Sequence, residues 1–422
     1  GLAIRPLPFL KHKLTLGVDV KFPKDDKVDY SPHLTLIPFD GISLIAKSNS
    51  ELDDFKINLG INLGKESVFS QSTYNSTNEY TGGIGFYTTD QKHKSIFNKK
   101  AKDTQKFIRM DLKGLFIEEN PSTSPFNFEL NFSPFSNREE TGTQLRTWIK
   151  EIDEFTDNKD IDGLIIDIGR VNAGFAKRGE IYSALSRFKN AGKSIIVYAN
   201  KGISNSDYFL ISMADEIYLN EHTGIDLKGI SMEMVFFRGL LDTLLIVPEV
   251  FRVEFDGKSY KTAADQFLNK EMSSEMRENY SDLLDDFYEI FVDGISKGRD
   301  WDYDVTNQII DNGPYYRPQD AIQAGLADSI LYPDQFDDYI KSKNDENVKI
   351  IKWKNVDRSE EYVHEWAPEK KEKIAIIYAV GGIVSGKSNP GPSGSSIMGD
   401  ETITRAIKSA REDKDIKAIV FR

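Results

Sequence analysis

The residues best suited to chemistry stand together at Tyr260-Lys261-Thr262-Ala263-Ala264-Asp265-Gln266-Phe267. Upstream, Val250-Phe251-Arg252-Val253 reads as an apolar β-type run, and Glu254 to Ser259 as a short polar loop. The small residues after Lys261 put it near the first turn of a helix. The positive end of a helix dipole disfavours an ammonium there, and burial against Tyr260 and Phe267 would disfavour it further. A neutral lysine accepts protons, so Lys261 is the candidate general base. Thr262 offers a hydroxyl to orient the amine, and Tyr260 supports the turn. The bland alternative is a solvated lysine at a helix start. Lys258 is nearby, but it follows the turn signal Asp256-Gly257 and is expected at the surface.

A second pattern, Gly381-Gly382-Ile383-Val384-Ser385-Gly386-Lys387-Ser388, is spelled like a phosphate-binding loop. Such a loop must run straight into a helix whose amides hold the phosphate. Asn389-Pro390-Gly391-Pro392 follows instead, so nucleotide binding is set aside. The five histidines (His12, His33, His93, His222, His364) are scattered, which supports neither a metal site nor a Ser-His-Asp triad. There is no cysteine, so thiolate chemistry and disulfides are excluded. A net charge of −13 argues against a nucleic-acid surface. Nothing calls for a cofactor.

The elements that must position these residues fall into blocks. Over residues 1–98, Phe55, Ile57, Leu59, Ile61 and Leu63 alternate with Lys56, Asn58, Gly60, Asn62 and Gly64, the period of a two-faced strand. Leu14 to Phe22 and Gly83 to Thr89 repeat the pattern, and Pro38-Phe39-Asp40-Gly41 makes a turn. Strands of about ten residues suit an outer-membrane-type barrel. Phe39, Phe69, Tyr74, Tyr80, Phe86 and Tyr87 fall near strand ends, as in an aromatic girdle. A soluble β-sandwich produces the same alternation, usually with shorter strands. Residues 99–106 form a basic linker. From Phe107 onward, strands such as Leu164-Ile165-Ile166 alternate with amphipathic helices, the signature of an α/β domain with a parallel sheet. That domain spans 107–340, and a charged linker covers 341–371.

At 372–422 the pattern restarts. Lys373-Ile374-Ala375-Ile376-Ile377-Tyr378 is a new first strand. Glu412 to Ala418 matches Asp157 to Gly163 position for position, an internal repeat at a spacing of 412 − 157 = 255 residues. Gly1 already lies in a strand, and Val420-Phe421-Arg422 stops within an apolar run, so both ends read as interior to a longer protein. No apolar run reaches the roughly 18 residues of a membrane-spanning helix.

Taken together, the chain from about Phe107 resembles signal peptide peptidase A, the protease IV type of membrane-bound serine peptidase. Three stretches carry the resemblance. Tyr260 to Phe267 is similar to the family's Tyr-Lys-Ser-Ala-x-Glu-Pro-Phe, in which the lysine is the general base. Asp311-Asn312-Gly313-Pro314, with Ala321 and Gly325-Leu326-Ala327-Asp328, resembles the close of the first repeat. Tyr378 to Gly382 and Gly399-Asp400-Glu401-Thr402 resemble the opening of the second. One departure is the loop Glu254 to Ser259, slightly longer than the family's and containing Lys258.

The resemblance implies a crotonase/Clp-protease-like spiral of β-β-α units, one repeat complete and one truncated. It implies a Ser-Lys dyad in which Lys261 comes from the first repeat and the serine from the second. The serine would follow the strand equivalent to Ala418–Arg422, in an Asn-Ser-Pro-Gly-Gly-Ser pattern, and so lie beyond Arg422. The first-repeat counterpart, Asn172-Ala173-Gly174-Phe175, has no hydroxyl. Gly381 and Gly382 would edge the substrate groove. The function so implied is a membrane-associated endopeptidase that degrades cleaved signal peptides and similar apolar peptides. It would act outside the cytoplasm as a homo-oligomer, with the N-terminal region a candidate for the outer membrane. The competing expectation is a peptidase-like scaffold that has lost activity and is tethered to a membrane barrel.

Overall fold

The computed structural model describes residues 2–6, 13–22, 28–77, 79–89, 93–97, 104–119, 142–343, 347–356, 358, 372–388 and 397–422. Of the proposed linkers, 99–103, 344–346, 357 and 359–371 lie outside the described residues; Gln105 and Lys106 already belong to a strand, residues 341–343 end a helix, and Val348–Lys352 is a strand of the main sheet, so the first repeat runs past the expected boundary at 340. The chain falls into two compact units. One holds Gly1–Thr104, Val356–Lys373 and Asp415–Lys417; the other holds Gln105–Asn355, Ile374–Lys414 and Ala418–Arg422.

The first unit is an antiparallel meander, in the order β1 (Leu2–Ile4), β2 (Leu14–Lys21), β3 (Asp29–Phe39), β4 (Ile42–Ser48), β5 (Phe55–Asn62), β6 (Glu66–Tyr74) and β7 (Tyr80–Thr88). Each strand pairs with the next along the chain. The turn at Asp40-Gly41 uses the left-handed φ of +85° that glycine tolerates. Cross-strand partners share a face. Leu16 opposite Leu34, Leu44 opposite Leu59 and Val68 opposite Phe86 therefore build one apolar face. Asp19 opposite Ser31, His33 opposite Lys47 and Asn58 opposite Gln71 build a polar one. Of the six aromatics expected at strand ends, one is placed differently. Phe69 is mid-strand, and both it and Tyr87 point to the polar face, each standing opposite a polar-face residue (Gly85 and Ser67).

The second unit begins with β8 (Gln105–Ile117), β9 (Thr143–Gln144), α1 (Leu145–Asp157), β10 (Gly163–Asn172), α2 (Phe175–Asn190), β11 (Ser194–Ala199), β12 (Ile203–Ser204), α3 (Asn205–Ile211), β13 (Glu216–Leu219) and β14 (Ile225–Asp226). It continues through α4 (Arg238–Thr243), α5 (Asp265–Leu268), α6 (Ser274–Arg299), α7 (Tyr303–Asp311), α8 (Pro318–Gln323), β15 (Ser329–Ile330), α9 (Pro333–Lys343) and β16 (Val348–Lys352). Its main sheet runs β15-β13-β11-β10-β8-β16, all parallel. Leu164, Ile165 and Ile166 on β10 are fully buried because helices cover both faces. Leu145, Trp148, Ile152 and Phe155 form the inward stripe of α1, and Ile181, Ala184, Leu185 and Phe188 that of α2.

The remaining elements, which fall in this unit apart from Lys373, Ile416 and Lys417, are β17 (Lys373–Ile377), β18 (Gly382–Val384), β19 (Ile397–Gly399), α10 (Asp400–Glu412) and β20 (Ile416–Phe421). They repeat the order of β8-β9-α1-β10. β8 pairs with both β9 and β10, while β18 pairs with β19 and β17 with β20. α1 and α10 are each 13 residues long. Gly114 within β8 and Gly381 between β17 and β18 both take a positive φ, +84° and +99°. Among the described residues no helix is long and apolar enough to cross a membrane.

Candidate active site

Lys261 caps a 3-10 turn, Thr262–Ala264, that continues into α5. It stands one residue before the turn rather than inside the first turn of a helix. The segment before it is not a strand: Val250 to Val253 is unpaired, with Phe251 97% and Val253 81% exposed. The apolar, β-branched composition that reads as a strand here belongs to an open arm. Lys261 itself is exposed, as are Tyr260 and Phe267, so the expected burial of the amine is not found in this chain. The reason is local, because the arm around it buries little of its own surface. Among the described residues the Lys261 amine makes no hydrogen bond or ion pair.

The backbone that presents the lysine is nevertheless firmly held. Asp265, four residues on, is fully buried. It accepts a hydrogen bond from Arg252 Nη1 at 2.7 Å and another from the Ser273 hydroxyl. The carboxylate raises the Arg252 guanidinium above its ordinary value. Ser273 in turn caps α6, accepting from the Met276 amide at 3.2 Å. One carboxylate therefore ties the arm, the lysine turn and a 26-residue helix together. Ser259 adds a brace by donating to the Val253 carbonyl at 2.9 Å and accepting from the Lys261 amide at 3.4 Å. The Tyr260 hydroxyl donates to Glu278 at 2.9 Å, and that bond pushes its pKa up. Thr262 is buried, and the Phe267 ring stacks on Phe237 with centroids 5.6 Å apart. Lys258 sits just past a hairpin turn at Asp256-Gly257, where both residues have positive φ, and it is exposed.

Gly381 and Gly382 lie at the start of β18, with Gly382 opposite Ile397. Among the described residues no hydrogen bond joins them to the lysine turn. The phosphate-loop lookalike is already occupied by its own helix. The Gly386 amide donates to Asp400 at 2.6 Å, and the Ser388 amide donates to Thr402 at 2.9 Å. A carboxylate at the start of α10 takes the amides that a phosphate would need. Residues 389–396, on which the sequence argument against a helix rests, are outside the described residues.

Two ionic clusters were missed by sequence reasoning. Below the turn Asn172-Ala173-Gly174, Arg178 Nε donates to the Ala173 carbonyl at 3.0 Å, and its Nη1 pairs with Asp207 at 3.1 Å. Asp207 is buried; it accepts from the Val171 amide at 3.1 Å and from the Ser204 hydroxyl at 2.6 Å. The Ser204-x-x-Asp207 spacing, a capping-box relative, was the available signal. The second cluster is Arg422, which donates to Glu118 at 2.6 Å and Glu180 at 2.9 Å. It fastens the end of β20 to the first repeat, and the two carboxylates hold its guanidinium charged still more firmly than usual.

Residues 187–348, a stretch that includes the lysine turn, match the model of Peptidase family S49. The Haemophilus influenzae Protease 4 is 30% identical over 291 residues, covering 64% of this chain and 44% of its own length. The chloroplastic serine protease SPPA of Arabidopsis thaliana is 29% identical, covering 62% of this chain and 38% of its own length. Protease 4 of Salmonella typhi is 25% identical, covering 75% and 51%. These matches support an SppA-type serine peptidase family for this chain, which spans about half, or less, of the length of these relatives. A solved enoyl-CoA hydratase from Shewanella pealeana ATCC 700345 superposes over 48% of this chain and 63% of its own, at 10% identity and a TM-score of 0.29, too loosely to carry an argument.

Proposed function

We propose that the complete protein is a membrane-associated serine endopeptidase of Ser-Lys type with a crotonase/Clp-like spiral. Lys261 is its general base, and the nucleophilic serine follows β20, beyond Arg422. In acylation the Lys261 amine takes the serine proton as the hydroxyl oxygen attacks the scissile carbonyl, and it returns that proton to the leaving amine. Glycine amides beside the serine would hold the oxyanion. Thr262 and Tyr260 steady the lysine turn, and Gly381 and Gly382 edge the groove that takes the peptide. Released signal peptides and other apolar peptides are the substrates, met on the extracytoplasmic side by a homo-oligomer.

The observation that carries this reading is the lysine turn itself. A solvated lysine needs no scaffold, yet this one stands on a turn fixed by a fully buried carboxylate, with two elements bonded to it. Exposed apolar residues on the adjoining arm, such as Phe251, Val253 and Phe255, suit an apolar peptide or a neighbouring subunit that dries the amine. Because the amine is open in the single chain, the inactive scaffold remains the second reading. A serine-directed covalent probe on the complete protein separates the two. Labelling of a serine in the turn after β20, lost on Lys261→Ala, supports the peptidase. Absence of labelling in an assembled, folded protein supports the scaffold.

A further inference from the structure

The first unit is built inside out. On its polar face Thr15, Ser31 and Ser67 are buried, at 7%, 6% and 2% exposure. On its apolar face Ile57, Ile84 and Phe86 are 50%, 75% and 78% exposed. Water-facing sheets show the opposite order. The polar face is packed closely as well. A Cβ at Gly17 would come within 2.4 Å of the His33 ring, and one at Gly85 within 2.4 Å of the Phe69 ring, so a side chain at either place would have to displace a ring. Lys47 bonds to Asp19 on this same face at 2.7 Å.

The apolar face runs from Leu2 to Phe86, interrupted on β6 by Ser70 and Ser72. Among the described residues the only charged strand residue on it is Glu66, at the end of β6. Aromatic residues mark both of its rims. Phe55, Tyr74 and Tyr80 are successive cross-strand partners on β5, β6 and β7, with Tyr30 at the same end of β3. Phe39 and Phe86 stand near the opposite end. Strands β5, β6 and β7 have 8, 9 and 9 residues. At about 3.3 Å per residue they reach roughly 26–30 Å, close to the apolar thickness of a bilayer. A groove of about 700 Å³ on this face is walled by Ile4, Leu16, Val18, Leu34 and Phe55, a lining that fits acyl chains.

We infer that this face is covered by the acyl chains of a bilayer, with the aromatic rows at its two headgroup boundaries and the Lys47–Asp19 face turned away from lipid. The inference deepens the membrane part of the function proposed above and is independent of the peptidase chemistry. A second protein copy fits less well, because aromatic belts at bilayer spacing have no role in a protein interface.

The absence of cysteine makes the test direct. Single cysteines are placed in the full protein at Ile57→Cys, Leu59→Cys and Ile84→Cys on one face and at Lys56→Cys, Asn58→Cys and Thr81→Cys on the other. Each is spin-labelled in phosphatidylcholine–phosphatidylglycerol vesicles. The expected result is a period-two inversion: the first group relaxed by oxygen dissolved in lipid and shielded from a water-soluble nickel chelate, the second group the reverse. Three results would overturn the inference: no alternation; first-group labels shielded from both reagents, as under a protein cover; or folded protein that fails to float with the vesicles. Peptidase activity measured on the same variants keeps failure here distinct from failure of the Ser-Lys reading.

Discussion

The two units bury opposite chemistry. In the second, β10 hides Leu164, Ile165 and Ile166 completely, and the carboxylates buried there, Asp207 and Asp265, are paired with Arg178 and Arg252. In the first, hydroxyls are buried while isoleucines and phenylalanines stand open. Both obey the same backbone rule, alternation or continuity of side chains along a strand. The difference lies in what each face meets, which teaches that periodicity reports the number of distinct faces and not which of them is the inside.

The contrast can be pressed hardest at the buried pair. Asp207→Ala leaves the Arg178 guanidinium buried without its partner and should cost about 3–5 kcal/mol, read as a lower urea midpoint for the second unit. A change under 1 kcal/mol would mean that this site is wetter than the structure has it. Next comes truncation of apolar residues in each unit. Leu164→Ala should destabilise by about 2–5 kcal/mol whether or not detergent is present. Leu59→Ala, on the open face, should barely move the midpoint in water and should weaken retention on vesicles. Equal losses for the two would erase the contrast.

A smaller effect is expected at alkaline pH. Burial pushes the Tyr208 phenol well above its ordinary value. Its hydroxyl donates to the Leu326 carbonyl at 3.1 Å. Because the folded state holds this proton more tightly than the unfolded one, the associated stability is fully present below the unfolded value of about 10 and falls as pH rises past it. Tyr208→Phe should flatten that alkaline fall in a denaturation series. Least affected should be Asp153→Ala, which removes an exposed partner of Arg187 and should change stability by less than about 1 kcal/mol.

Much of this was legible in the sequence, for identifiable reasons. The apolar run of β10 and the alternation of β5 each match one template strongly, and the repeat at 255 residues reappears as the same strand, helix and pairing order. Val250 to Val253 was misread because a short apolar, β-branched run looks alike whether it pairs in a sheet or lies open on an arm. The Arg178–Asp207 pair joins residues 29 apart, and the Arg422–Glu180 pair residues 242 apart, so no local pattern reveals either pairing, although Ser204-x-x-Asp207 marks one of the carboxylates. The exposure of Lys261 was hidden for a related reason. Burial depends on what packs over a turn, and the octapeptide around the lysine says nothing of that.

The claim at the centre is that Lys261, and not Lys258, accepts the serine proton. The most direct measurement is turnover of one apolar peptide by the complete protein and by Lys261→Ala, Lys261→Arg and Lys258→Ala. Lys261→Ala should lose nearly all activity while keeping its unfolding midpoint, because the side chain is exposed and bonds to nothing described. Lys261→Arg should be equally damaged, since a guanidinium stays protonated, and Lys258→Ala should be close to the parent. An inactive Lys258→Ala beside an active Lys261→Ala would move the base to the other lysine. Full activity in all three would contradict the Ser-Lys mechanism outright.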